Sequence, residues 1–157
     1  MVKALALDTT DWKILNELQR DGSLSNVALA ARIGLSPPPT LRRVQALEQA
    51  GIIAGYRALL DAAKLGYEVQ FIAMVGLRTQ GEGELQEFER RAKSWPIVRE
   101  CYAVSGEADY ILKCMARDLA DVQNFVMGAL STAPNVVSVK TSLILRVAKD
   151  EPGVPLT

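Results

Sequence analysis

The stretch LSPPPTLRRVQALEQAG, residues 35–51, sets three consecutive prolines in front of a helix-patterned run. Inside a helix proline is disruptive, because it lacks an N–H and its ring crowds the preceding turn. The first N–H groups of a helix have no internal partner, so proline there forfeits no hydrogen bond. The run therefore stiffens the entry to a helix and fixes where it begins. Ser36 is the expected N-cap, its hydroxyl available to one of the remaining donors. A residue before proline avoids the α region, so Pro37 and Pro38 are expected to stay extended and the regular helix to begin near Pro39. Leu41, Val44 and Leu47, at i, i+3 and i+6, read as its core side, and Gly51 closes it.

Two shorter helices precede it. In DTTDWKILNELQRDG, Trp12, Ile14, Leu15 and Leu18 follow helical spacing, with Trp12 as the expected core anchor. Asp8 and Asp11 stand in a capping-box relation, and Gly22 ends the segment. In SNVALAARIG, Ser25 is the expected cap, Val27, Leu29, Ala30 and Ile33 the buried side, and Gly34 the stop. Residues 52–66, IIAGYRALLDAAKLG, read as an extended linker.

The remainder alternates. EVQFIAMVGLR is strand-like and EGELQEFERRAKSW an amphipathic helix with Leu85 and Phe88 inward; its charged run EFERRAK is a solvated face. IVRECYAVS and DYILKCMA are strands around the turn GEAD. DLADVQNFVMGALSTA is a second helix capped at Asp118, and VVSVKTSLILRVA the last strand. The order βαββαβ indicates a ferredoxin-like sandwich. The chain is thus read as α+β: an N-terminal helix-turn-helix (winged-helix-like) domain at 1–51, a linker at 52–66, a ferredoxin-like domain at 67–150 and a C-terminal tail at 151–157. Strands apolar on both faces call for burial of the second sheet face, most simply against another copy.

Composition narrows the chemistry. The 157 residues are 49% hydrophobic and 23% charged, as in a soluble globular protein. No run is long enough to span a membrane, and MVKALALDTTDWK lacks the apolar core of a signal peptide. A cytoplasmic protein is expected. The chain has no histidine, which removes the usual catalytic triads, most zinc sites and the commonest general base. Carboxylates show no clustering that would indicate a metal, and Cys101 and Cys114 read as buried free thiols. Residues 1–60 carry seven Lys/Arg against five Asp/Glu, and residues 61–157 eleven against thirteen. That mild asymmetry permits a nucleic-acid surface on the first part without requiring one.

Two helices joined by IGLS, the second bearing Arg42 and Arg43, have the form of a helix-turn-helix, whose second helix enters the major groove. Arginine suits that task, since its fork pairs with guanine or clamps a phosphate. A plain three-helix bundle with solvated arginines fits the same spacing.

The residues also carry a family resemblance. The opening Leu-Asp-x-x-Asp, the Leu-Ala-x-x-Ile-Gly-Leu-Ser-Pro stretch, Leu-Arg-Arg-Val, Leu-Glu-x-x-Gly-Ile-Ile-x-Gly-Tyr and VSGEADYILK resemble, in order and over nearly the whole chain, the Lrp/AsnC transcriptional regulators. The resemblance implies promoter DNA as partner, dimers assembling into larger rings such as octamers, no cofactor, and a small amino-acid effector bound near the Gly-x-x-Asp turn. Ser36, Thr40, Arg42 and Arg43 are the expected groove and phosphate contacts, with Ser25, Asn26 and Arg57 touching backbone. If Arg43 reads a base, Arg43→Ala should weaken specific binding.

At the turn, Gly106 permits close backbone approach, its neighbours offer N–H groups to a carboxylate, and Asp109 can hold an ammonium. Ser105, Tyr102 and Thr141 are further candidates. A simple hairpin turn with Asp109 bonding its own backbone is the competing reading. Pro38 stands where the family usually has a hydroxyl, Thr40 where cysteine is frequent, and Gln45 where a base is frequent. Glu107-Ala108 replaces polar or aromatic residues, which leaves target sequence and effector identity open. Two rivals are an effector module with little DNA affinity and a sirohaem-type decarboxylase, whose proposed chemistry relies on the histidine this chain lacks.

Overall fold

The computed structural model describes residues 6–156; the first five residues, part of the stretch weighed as a signal peptide, lie outside them. The described residues form two compact units, 6–59 with 150–156, and 60–149. Residues 52–59, read as linker, group with the first unit because Ile53 packs on its core. The segment after residue 149 returns to the same unit.

The first unit holds α1 (Thr9–Arg20), α2 (Asn26–Ile33) and α3 (Pro37–Gln49). Asp8 caps α1 in a complete capping box with Asp11, so two otherwise orphaned donors are satisfied reciprocally. Ser25 caps α2 by accepting from the Ala28 amide at 3.2 Å. The core is Ile14, Leu29, Ile33 and Leu47, flanked by Leu15, Leu18, Leu24 and Val44.

Three expectations fail here for one reason, helical phase. Val27 is exposed, because α2 buries Leu29, Ala30 and Ile33 instead. Leu41 is 46% exposed, because α3 turns Thr40, Val44 and Leu47 inward, a tighter i, i+4, i+7 stripe. Trp12 is 44% exposed and lines a surface groove rather than anchoring the core.

α3 starts at Pro37, not near Pro39, so Pro37 and Pro38 are helical despite each preceding a proline. Ser36 is the N-cap residue, yet its side chain makes no capping bond. The cause is chemical: the N2 and N3 positions, whose N–H groups a capping hydroxyl would serve, are Pro38 and Pro39.

In the second unit β1 (Val69–Leu77), α4 (Glu82–Ser94), β2 (Val98–Ala103), β3 (Tyr110–Ala116), α5 (Leu119–Asn124) and β4 (Val136–Leu143) follow in order, after a 3-10 turn at Ala63–Leu65. All strand pairs are antiparallel, in the order β2-β3-β1-β4. The helix expected to run on from Asp118 stays α only to Asn124 and continues as a π-helical turn, Phe125–Leu130. Phe125 and Leu130, five residues apart, would diverge on an α-helix; an i→i+5 turn brings both onto the sheet. Phe125 meets Trp95 edge-on at 5.4 Å and Phe71 at 6.4 Å, and Phe88 packs on Tyr110 at 4.7 Å. These rings, with Val75, Leu112 and Cys114, form the core between helices and sheet.

Candidate DNA-binding and effector sites

Pro38, Leu41, Arg42 and Gln45, at i, i+3, i+4 and i+7, are all exposed and form one outer stripe of α3. Ser36 is exposed just ahead of it. Arg42 is thus presented at the middle of α3, six residues beyond the exposed Ser36. Leu41, read from spacing as core, belongs to the same surface.

Arg43 points elsewhere. Its Nη1 lies 2.8 Å from both Asp8 Oδ2 and Asp11 Oδ1, so one guanidinium bridges the capping box of α1 to α3. Donating hydrogen bonds to Asp11, and then to Asp8, holds the Arg43 guanidinium still more firmly protonated. The Asp11 amide, and further the Arg43 guanidinium, hold the Asp8 carboxyl below its usual 3.8. The pair of arginines is divided: Arg42 faces outward and Arg43 braces two helices.

Thr40 corrects the list of groove contacts. It is fully buried and its hydroxyl donates to the Ser36 carbonyl at 2.9 Å, so it presents nothing to a groove. Asn26 is also engaged, its amide donating to the Pro37 carbonyl at 2.8 Å while its Oδ1 is buried without a partner. That bond ties the start of α2 to the proline run. Ser25 and Arg57 are exposed.

The turn between β2 and β3 gathers Ser105, Gly106 and Asp109. Gly106 has φ 128°, a backbone conformation that favours glycine. Asp109 ties this turn to the end of β1 rather than bonding its own backbone. Its Oδ2 accepts from the Leu77 amide at 2.6 Å, and its Oδ1 accepts from Gln80 Nε2 at 2.7 Å. Its amide donates to the Val75 carbonyl at 2.9 Å. Gln80, which sequence reasoning missed, thus sets the direction of the one carboxylate in the turn's hydrogen-bonded frame. No sequence signal marks it, because it lies in a loop 29 residues away.

Tyr102 and Thr141 are not brought together. Tyr102 pairs opposite Ile111 on the sheet face away from the helices, and Thr141 pairs opposite the buried Ala73 on the other face. They sit on the two edge strands, three spacings or roughly 14 Å apart. Tyr102 instead donates to Glu100, which also pairs with Lys113 at 3.1 Å. Those two contacts, Tyr102 first, hold the Glu100 carboxyl below its ordinary value.

Comparison with known proteins gives each half of the chain a counterpart. Residues 7–54 match the winged helix-turn-helix DNA-binding family, and residues 70–154 match the Lrp/AsnC ligand binding domain. The leucine-responsive regulatory protein of Rhizobium meliloti (strain 1021) is 51% identical over 150 residues, covering 96% of both chains. Transcriptional regulator AzlB of Bacillus subtilis (strain 168) is 37% identical over 152 residues, covering 97% of both. Among solved structures, the Neisseria meningitidis transcriptional regulator NMB0573 in complex with L-Met superposes with a TM-score of 0.92 at 36% identity, over 96% of this chain and 97% of that one. E. coli AsnC superposes with a TM-score of 0.85 at 25% identity, over 96% of this chain and all of that one. The helix-turn-helix unit and the βαββαβ unit are the DNA-binding and ligand-binding halves of one architecture, and the chain belongs to the Lrp/AsnC family of transcriptional regulators.

Proposed function

We propose that this regulator binds promoter DNA sequence-specifically through the outer stripe of α3 and that an amino acid bound near the β2–β3 turn modulates its grip. The observation that carries the DNA half is the exposure of Arg42 on that stripe, together with an exposed Ser36 hydroxyl that the prolines leave without a capping task. Arg42 contacts a base edge or a phosphate, Ser36 a phosphate, and Ser25 and Arg57 add backbone contacts. On the effector side, Ser105, Gly106 and Asp109 receive the ligand's carboxylate and ammonium, with Tyr102 on β2, the strand that leads into that turn.

Thr141, far from that turn within one chain, contributes only if a second copy brings it there. The protein works as a homodimer or larger ring in the cytoplasm, without catalysis or a cofactor. Among the described residues no helix is long and apolar enough to cross a membrane.

The test is binding to the DNA upstream of the protein's own gene across a panel of amino acids. Leucine and methionine come first, since one relative is named leucine-responsive and another structure holds L-Met. A shift in affinity with one amino acid, lost in Asp109→Asn, supports the reading. Binding indifferent to every amino acid removes the effector half. An effector module with little DNA affinity is favoured by one observation, the withdrawal of Thr40 and Arg43 from the surface stripe. It requires failure to bind even random DNA at low salt.

A further inference from the structure

Trp12, Ile52 and Tyr56 are exposed large apolar residues on the first unit, and they are neighbours: with Leu7, Leu15 and Ile53 they line a groove with a cavity of about 360 Å³. Val154 and Leu156 line the same groove, although β4 ends eleven residues before Val154. Gln19 holds the arriving segment at two points. Its Nε2 donates to the Val154 carbonyl at 2.7 Å, and its Oε1 accepts from the Val154 amide at 3.1 Å.

A carboxamide has one donor face and one acceptor face, so it reads the N–H and C=O of a single extended residue as a neighbouring strand would. Gly153 has φ 104°, and a Cβ there would run into the Gln19 side chain. Pro152 and Pro155 flank the contact and limit the conformations lost on docking. Tyr56 is fixed in turn by donating to Glu48 at 3.0 Å, and burial followed by that carboxylate raises its phenol to about 12.

We propose that this groove is a docking site for a short extended peptide of the pattern Gly-apolar-Pro-apolar, and that its resident occupant is Gly153–Leu156 of the same chain. The DNA-binding unit is then discontinuous in sequence. It is completed by a segment that lies beyond the last strand of the other unit, with Gln19 as the clamp.

A chain ending at Lys149, titrated calorimetrically with a synthetic peptide of residues 150–157, tests this. The peptide should bind the shortened chain and not the full one, whose Gln19 is already engaged by its own Val154. Gln19→Ala in the shortened chain should weaken the peptide about tenfold, the value of two ordinary hydrogen bonds. A peptide carrying Gly153→Val should not bind. A shortened chain that stays folded and ignores the peptide overturns the proposal.

If the shortened chain does not fold, carboxypeptidase digestion of full-length Gln19→Ala decides. Faster release of the last residues than in the unaltered chain supports the clamp, and equal rates overturn it. A Gln19→Cys, Val154→Cys pair, its disulfide mapped by mass spectrometry, identifies the occupant. A bridge within one chain supports the assignment, and a bridge between two chains overturns it.

Discussion

The guanidinium groups of Arg42 and Arg43 are adjacent in sequence and differ in what holds them. Arg43 is bonded to Asp8 and Asp11, while Arg42 lies on the exposed stripe. Arg42→Ala should therefore weaken DNA binding by roughly 1–3 kcal/mol with little change in the unfolding midpoint. Arg43→Ala should lower the midpoint, read by urea denaturation, because Asp11 is buried and loses its cationic partner. The opposite pattern would exchange their roles.

Asp8 adds a pH signature. A carboxyl held below 3.8 when folded contributes stability that is complete above 3.8 and lost as pH falls through the depressed value. The first unit should thus loosen in that acid window, and Arg43→Ala should flatten part of the dependence. At the turn, Asp109→Asn keeps an acceptor for the Leu77 amide and removes the charge. Its melting temperature should stay near that of the unaltered chain while any amino-acid response of DNA binding disappears.

Among the elements, α3 makes the sharpest prediction. A capping serine replaced by alanine ordinarily costs about 1 kcal/mol. Ser25→Ala should show that loss, since its hydroxyl accepts from the Ala28 amide. Ser36→Ala should cost under about 0.5 kcal/mol, because Pro38 and Pro39 offer no donor. Equal losses from the two would contradict this account of the proline run.

The same helix shows where sequence was legible. Its N-cap residue and the helix-turn-helix form were readable from Ser, Pro and Gly, because those residues act locally, while its first residue, expected near Pro39, is Pro37. Its phase was not. Thr40, Val44 and Leu47 are the inward stripe, but a polar Thr masks it and Leu41 offers a rival apolar spacing. The βαββαβ succession was readable from the alternation of strand-like and helix-like runs, and β1 and β3 bury every second residue. The π turn at Phe125–Leu130, the Gln80–Asp109 bond and the Gln19 clamp all depend on residues distant in sequence or on a helical register change. No local pattern encodes them.

For the whole molecule, the sheet face away from the helices is the main unpartnered surface of the second unit. Ile72, Met74, Ile111 and Met115 are only half-buried there, and Tyr102 is exposed. Leu145, beyond β4, is 93% exposed. Covering such residues with a second copy removes apolar area from water. Ile111→Glu, which would leave a charge in that interface, should shift the sedimenting species to a smaller one. A mass unchanged by the substitution would place the assembly interface elsewhere.

The most direct measurement is the salt dependence of binding to a random-sequence DNA duplex, for the unaltered chain and for Arg42→Ala. The account predicts binding at low salt that weakens steeply as salt rises, with a log–log slope of about −0.9 per phosphate contacted. If Arg42 clamps a phosphate, its loss should make the slope shallower by about one; if it reads a base, the slope is kept and discrimination between sequences falls. No binding at low salt, or binding indifferent to salt and to Arg42 on every sequence, would contradict the assignment of the α3 stripe to DNA.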